Sequence, residues 1–169
     1  MKRILATILF SIYGLIFAQV FDGGVINERD EFTGETTCGQ YVSNSIYDDT
    51  GMILLRNSDG SLMFAINHVV ESWSSDSAFN LYGKTGGEKV YIKFSENDIL
   101  TLEPIEVEGN LSDDYERAYF VTERQTLQRI LASPNALRVR FDGPDGNEDF
   151  DINHGVVLAL AQGFGQTCL

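Results

Sequence analysis

Apolar and polar residues alternate along most of this chain with a period of two, which is typical of strands that face a core on one side. In residues 61–68, Leu62, Phe64 and Ile66 fall on one face, and residues 89–94 show the same alternation. The pattern therefore predicts an antiparallel sheet with one buried and one solvated face.

Turn residues divide this pattern into about seven to nine short strands. The pair Asp59-Gly60 between two apolar runs predicts a hairpin. A turn is also predicted at residues 48–51, and a second hairpin around residues 83–87. Strands are predicted at residues 41–43, 52–56, 61–68, 78–82, 89–94, 99–107, 117–121, 137–141 and 148–152, with Pro104 dividing the sixth into an edge strand or two short pieces.

Helical periodicity is found only in the C-terminal third. Thr122 and Gln125 have the spacing of a capping box, and Pro134 ends the helix that follows. Asn153 can cap a second helix. The sequence thus predicts the α+β class, with an antiparallel β-sheet or sandwich-like meander and two short helices near the C-terminus. The apolar stripes of the two helices are Leu127, Ile130 and Leu131, and Val156, Val157, Leu160, Ala161 and Phe164.

The last predicted hairpin has a register that its own side chains select. If Asp142 opposes Asn147 across the turn, apolar pairs fall on one face and charged pairs on the other, and a slip of one residue destroys both sets. Two parallel arginines, Arg138 and Arg140, can clamp a carboxylate or another anion. The alternative is a solvated face of salt bridges. The predicted pairs are Arg140–Asp149, Arg138–Asp151, Val139–Phe150 and Leu137–Ile152.

The first residues predict export. Lys2 and Arg3 precede the largely apolar residues 4–17, and Ala18 offers a small residue at a cleavage point. The apolar run has about 14 residues, fewer than the roughly 20 that a membrane-spanning helix needs. We therefore predict a signal peptide at residues 1–18, a single α+β domain at residues 19–169, and a periplasmic or secreted location.

The charge limits the classes of partner. The chain has 12 basic and 25 acidic residues and a formal charge of −13; loss of residues 1–18 removes two basic and no acidic residues, which leaves −15. Such a charge is repelled by nucleic-acid phosphates and by anionic membranes. It also favours a soluble monomer. We expect no nucleic-acid partner, no membrane association after signal cleavage, and a monomer.

Two cysteines, Cys38 and Cys168, are present. An exported chain oxidises its thiols, so we expect them to form one disulfide; two free or intermolecular thiols are the alternative. The bridge would close a loop of about 130 residues and contribute roughly 4–5 kcal/mol of stability, often less in practice.

Candidate chemistry is sparse. His68 and His154 are the only histidines, and neither a nucleophile elbow nor an HExxH zinc motif accompanies them. The segment 142–151 is rich in carboxylates but does not have EF-hand spacing. We expect no cofactor and no metal site. Trp73, in a polar and serine-rich stretch, is a candidate contact for a sugar or a protein, unless it folds back over the sheet.

Several short motifs resemble those of small exported bacterial proteins: Asp30-x-Phe-Thr-Gly, residues 137–143, residues 149–152, residues 158–160 and the near-terminal Cys168. The ending is similar to those of the invasion-associated locus B family and of the periplasmic type VI secretion accessory family. The resemblance implies a periplasmic or secreted, non-enzymatic, β-rich accessory domain, and it assigns no functional residue.

The sequence therefore predicts an exported, non-catalytic binding or accessory domain with an unknown protein or glycan partner. The alternative is a small secreted hydrolase that uses paired carboxylates. With 25 acidic residues, coincidental carboxylate pairs are expected in any fold of this chain.

Overall fold

A computed structural model describes residues 23–29, 31, 35–45, 48–70, 78, 86–110, 115–144 and 146–167. This part of the chain forms ten strands and two helices. In chain order they are β1 (Gly23–Arg29), β2 (Thr36–Ser45), β3 (Asp48–Asn57), β4 (Leu62–Val69), β5 (Lys89–Ser95), β6 (Asp98–Leu102), β7 (Glu106–Asn110), β8 (Tyr115–Val121), α1 (Arg124–Leu131), β9 (Leu137–Gly143), β10 (Gly146–Ile152) and α2 (His154–Thr167).

The strands form two antiparallel sheets. The six-stranded sheet has the order β1-β2-β3-β4-β8-β7, and the four-stranded sheet has the order β10-β9-β5-β6. The predicted α+β class, with a β-meander and two helices near the C-terminus, is confirmed. Pro104 separates β6 from β7, which belong to different sheets, so the predicted division into two short pieces is also confirmed.

Both sheets contribute their inward faces to one hydrophobic core. Phe64 of β4 and Phe120 of β8 stack with ring centroids 4.6 Å apart. Phe141 of β9 is fully buried. Burying side chains of this size is the main source of stability in such a fold. The helices add Leu127, Ile130, Val156, Val157 and Leu160 to the core.

The last helix packs against strands from the N-terminal part of the described chain. Helix α2 contacts β2 and β3. The buried Asn44 of β2 fixes this junction, because its Nδ2 donates to the Asp151 carbonyl (3.0 Å) and its Oδ1 accepts from the Asn153 amide (2.8 Å). One amide side chain thereby holds the corner between β10 and α2.

Two local predictions are wrong. Residues 48–51 belong to β3 rather than to a turn, and the pairing of Ser45 with Asp48 places the reversal three residues earlier. Thr122 does not cap α1, because its N–H still donates to the Leu62 carbonyl in the sheet; Glu123 is the N-cap residue and makes no side-chain capping bond. The predicted strand at residues 78–82 and the turn after it lie almost wholly outside the described residues, and both edges of β5 are occupied by β6 and β9.

The predicted register of the last hairpin is confirmed. Asn147 opposes Asp142, and the charged and apolar pairs follow on opposite faces as expected. The apolar side chains of β9, Leu137, Val139 and Phe141, are fully buried. The Asp59-Gly60 hairpin between β3 and β4 is confirmed as well.

Some predictions concern residues outside the described part of the chain. These are the signal peptide at residues 1–18, Trp73 and Cys168. Cys38 lies half-buried on β2. The Cys38–Cys168 disulfide stays a prediction.

Candidate binding groove and a buried histidine

The exposed face of the four-stranded sheet carries an open groove of about 440 Å³. Alternation along the strands turns every second side chain away from the core, so all four strands contribute to this surface. The groove is lined by Tyr91, Lys93, Ile99, Arg138, Val139, Arg140, Asp142, Asn147 and Asp149.

The structure brings the two predicted arginines together in this groove. The side chains of Arg138 and Arg140 are 60% and 50% exposed. Arg140 binds Asp149 through two hydrogen bonds, Nε to Oδ1 at 2.5 Å and NH2 to Oδ2 at 2.8 Å. Arg138 stands opposite Asp151, but its guanidinium contacts Asp149 instead, at 3.5 Å. A long side chain reaches a diagonal neighbour as easily as the one directly opposite.

This pairing fixes the charges of the groove. Hydrogen bonds from Arg140, together with its positive charge and that of Arg138, hold the pKa of Asp149 below its usual value, although partial burial opposes them. The hydrogen bond to Asp149 correspondingly raises the pKa of Arg140. Both groups are therefore ionised at neutral pH, and Asp149 is a poor proton donor.

Residues of β5 and β6 extend the basic surface. Tyr91 opposes Arg140, and Lys93 opposes Arg138. The Tyr91 hydroxyl lies 3.4 Å from Asp142 Oδ2. Ile99 of β6 opposes Lys93 from the other side and is 53% exposed. The groove thus combines cations with an exposed aliphatic side chain.

His68 lies in the core, on β4 of the six-stranded sheet, and packs against the inner face of the four-stranded sheet. Alternation along β4 points it inward after Phe64 and Ile66, and it is 9% exposed. Its ring stacks on Phe150 with a centroid distance of 4.0 Å and an interplanar angle of 2°. Phe141 packs against it edge-on.

Burial keeps His68 neutral, and the hydroxyl of Thr50 lies beside one of its ring nitrogens. Thr50 Oγ1 accepts from the Val69 amide (3.2 Å) and lies 3.3 Å from His68 Nδ1. The hydroxyl proton can then be donated to Nδ1, which leaves the ring proton on Nε2, 3.6 Å from Glu148 Oε1. Burial lowers the pKa of His68 from 6.5 to about 4, although the charge of Asp48 opposes the shift. This histidine is enclosed rather than placed in a cleft.

Sequence reasoning missed Tyr91, Lys93 and Ile99 as members of the groove. The alternation placed Tyr91 and Lys93 on the solvated face of β5, which is correct. The missing information was the pairing of β5 with β9, about 50 residues further along the chain. Thr50 was also missed, because residues 48–51 have the composition of a turn.

The described residues contain no group of three or more histidine, cysteine, aspartate or glutamate side chains arranged to hold a metal ion. Nor does that part of the chain contain a helix long and apolar enough to cross a membrane. A scan against protein-family models and searches of the curated proteins and of the solved structures found no match. The resemblance to exported bacterial accessory proteins therefore stays a prediction.

Proposed function

We propose that this chain is an exported, non-catalytic binding domain whose ligand site is the groove on the four-stranded sheet. The observation that carries the proposal is the composition of that face. Lys93, Arg138 and Arg140 gather beside the exposed Ile99 in a chain with only 12 basic residues. An exposed apolar group among oriented charged groups is characteristic of a recognition surface.

The ionisable groups favour binding over hydrolysis. A carboxylate hydrolase needs a general acid whose pKa is raised. The pKa of Asp149, a carboxyl group of the groove, is shifted in the opposite direction by Arg140. His68 is the most strongly perturbed histidine, but its ring is covered by Phe150 and Phe141.

Distances along the last helix support the disulfide of the exported form. Asn153 lies at Asn44, and Gly163 lies against the Gln40 side chain, so α2 runs antiparallel to β2. The ten residues from Asn153 to Gly163 rise by about 15 Å along the helix. The four residues from Asn44 to Gln40 span about 13 Å along the strand. Cys38 is two residues beyond Gln40, about 7 Å further on. Cys168 is five residues beyond Gly163 in the sequence, a separation of about 7.5 Å for helical residues.

One mass measurement tests export and the disulfide together. The full chain is expressed in a host that exports it, and the product is weighed intact with and without reductant. We expect a chain that begins at Gln19 and gains the mass of two hydrogen atoms on reduction. An uncleaved product, or an unchanged mass after reduction, would contradict the corresponding part of the proposal.

Ligand binding is tested by NMR on the same exported product. A panel of neutral and acidic oligosaccharides and short peptides is titrated into ¹⁵N-labelled protein. A true ligand should shift the amides of β5, β6, β9 and β10 and leave those of β1 unchanged. The ligand should also be recovered intact after long incubation. Turnover of any panel member, or shifts confined to other strands, would refute the proposal.

A further inference from the structure

We propose that the groove recognises an acidic peptide segment, with a ligand carboxylate held between Lys93 and Arg138. The inference rests on the proposed function, since it concerns the ligand class of the same groove. Its starting point is the register of β5 and β9, in which Lys93 and Arg138 stand directly opposite one another.

A cross-strand pair of like charges is destabilising. The β-carbons of directly opposed residues are about 4.5–5.5 Å apart, so two cations there repel unless an anion lies between them. This chain has about twice as many acidic as basic residues, yet it places two basic side chains at this pair of positions. The fold gains nothing from the arrangement, whereas a carboxylate ligand would.

Neighbouring carboxylates do not neutralise the pair. Among the described residues, no carboxylate lies within ion-pair distance of Lys93. The contact of Arg138 with Asp149 is 3.5 Å long, and that carboxylate is already held by the two hydrogen bonds of Arg140. Lys93 and most of the Arg138 guanidinium therefore retain donors for a ligand.

The adjoining apolar surface selects a peptide over an acidic sugar. Ile99 opposes Lys93 and is 53% exposed, so an aliphatic side chain of the ligand can pack beside the bound carboxylate. Sugars favour an open aromatic face, but Tyr91 is half-buried, with its hydroxyl near Asp142. The chemistry that fits is a glutamate or aspartate next to a leucine-like residue.

The acidity of the whole chain does not prevent this recognition. The Debye length is about 8 Å at physiological ionic strength, so distant carboxylates are largely screened. Donors in contact with the ligand carboxylate are not screened in this way, and charge-assisted hydrogen bonds are the stronger kind. Contacts at the groove therefore outweigh repulsion from the rest of the surface.

The test uses the exported full-length product and a fluorescent hexapeptide of alternating glutamate and leucine. A peptide with glutamine in place of glutamate has the same shape without charge, and a galacturonate oligomer has the charge without the peptide. Binding is measured by anisotropy for the peptides and by NMR for all three. We expect Lys93→Gln and Arg138→Gln each to weaken binding of the acidic peptide about tenfold or more.

Matched variants make the result specific. Lys89→Gln removes a charge from the same face of the same strand, opposite Asp142, and should leave the affinity nearly unchanged. Lys93→Arg keeps the charge and should restore binding. Each variant is used only if its NMR spectrum shows the native fold, and Arg138→Gln provides an independent test if Lys93→Gln does not fold.

The outcomes separate the two proposals. Equal binding of the glutamate and glutamine peptides, or an equal loss in Lys89→Gln, would overturn recognition of a carboxylate by this pair while leaving a binding groove. Binding of galacturonate in place of the peptide, with the same dependence on Lys93 and Arg138, would overturn the peptide assignment. No shift of groove amides with any ligand would refute the proposed function itself.

Discussion

The two faces of the β9–β10 hairpin are in contact with ionisable groups in opposite states, charged on the outer face and neutral on the inner one. On the outer, solvent-exposed face, the ion pair raises the pKa of Arg140 and lowers the pKa of Asp149, so both groups stay charged. On the inner face, Phe150 and the core surround His68 and remove its charge. Groups on the two sides of one hairpin thus differ in ionisation, because alternation along β10 turns Asp149 to solvent and Phe150 towards His68 of β4.

The comparison shows which polar groups belong to the scaffold and which are available to a ligand. His68 has its ring atoms occupied by Thr50, Glu148 and Phe150. Lys93 and Arg138 present donors to solvent. The perturbed pKa of His68 therefore reflects its structural role in the core. Ligand binding is expected at Lys93 and Arg138, which keep their charges.

The largest expected effect is the pH dependence of folding stability that His68 contributes. The pKa is about 4 in the folded protein and 6.5 ordinarily, so the unfolded chain binds the proton first as pH falls. Stability should therefore decrease between pH 6.5 and pH 4, and this contribution should level off below pH 4. The full shift corresponds to roughly 3 kcal/mol.

Urea unfolding of the wild type and of His68→Gln, measured at several pH values from 7.5 to about 3.5, isolates this contribution, since all other groups are common to both. The difference in unfolding free energy between the two proteins should narrow as pH falls. A difference that stays constant would show that His68 titrates normally and would remove the contrast between the two faces.

The next effect concerns the hydroxyl beside His68. Thr50→Val keeps the shape but removes the acceptor for the Val69 amide and the donor for Nδ1. Leaving buried polar groups without partners should reduce the free energy of unfolding by about 1–3 kcal/mol. Thr50→Ser keeps the hydroxyl and serves as the control in the same urea experiment. A larger loss in Thr50→Ser than in Thr50→Val would mean that packing of the methyl group matters more than the hydroxyl.

The smallest effect is expected on the outer face. Asp149→Asn breaks the ion pairs with Arg138 and Arg140, but these groups are exposed and water replaces the lost contacts. The urea midpoint should move less than in Thr50→Val. The remaining shift should vanish near 1 M salt, where the Debye length is about 3 Å. A loss comparable to that of Thr50→Val would make the outer cluster part of the scaffold.

Sequence reasoning succeeded where partners are close along the chain. The register of β9 with β10 follows from the turn between them and from side chains that fit in one alignment only. The pairing of Lys93 with Arg138 spans 45 residues, and no local pattern selects it. The two arginines of the groove could therefore be predicted from the sequence, but Lys93 and Ile99 could not.

Local composition was misleading where tertiary contacts changed the role of a residue. Asp48 and Thr50 have the composition of a turn, yet the Thr50 amide donates to Asp48 within a strand. Thr122 resembles a helix cap but is held by Leu62 in the sheet. The Thr122 amide is thus used by the sheet instead of the helix start, whereas the local bond between Thr50 and Asp48 forms as the pattern predicts but within a strand.

The Asn44 contacts set the order in which this fold can be completed. They join residues 107 and 109 positions apart, whereas β1 to β4 pair with their neighbours along the chain. The early strands can pair as soon as they are free of the ribosome or the translocation channel, but α2 cannot cover β2 and β3 until the final residues have followed. Folding of the core therefore waits for the end of the chain, and the exposed apolar face of the early meander needs protection until then.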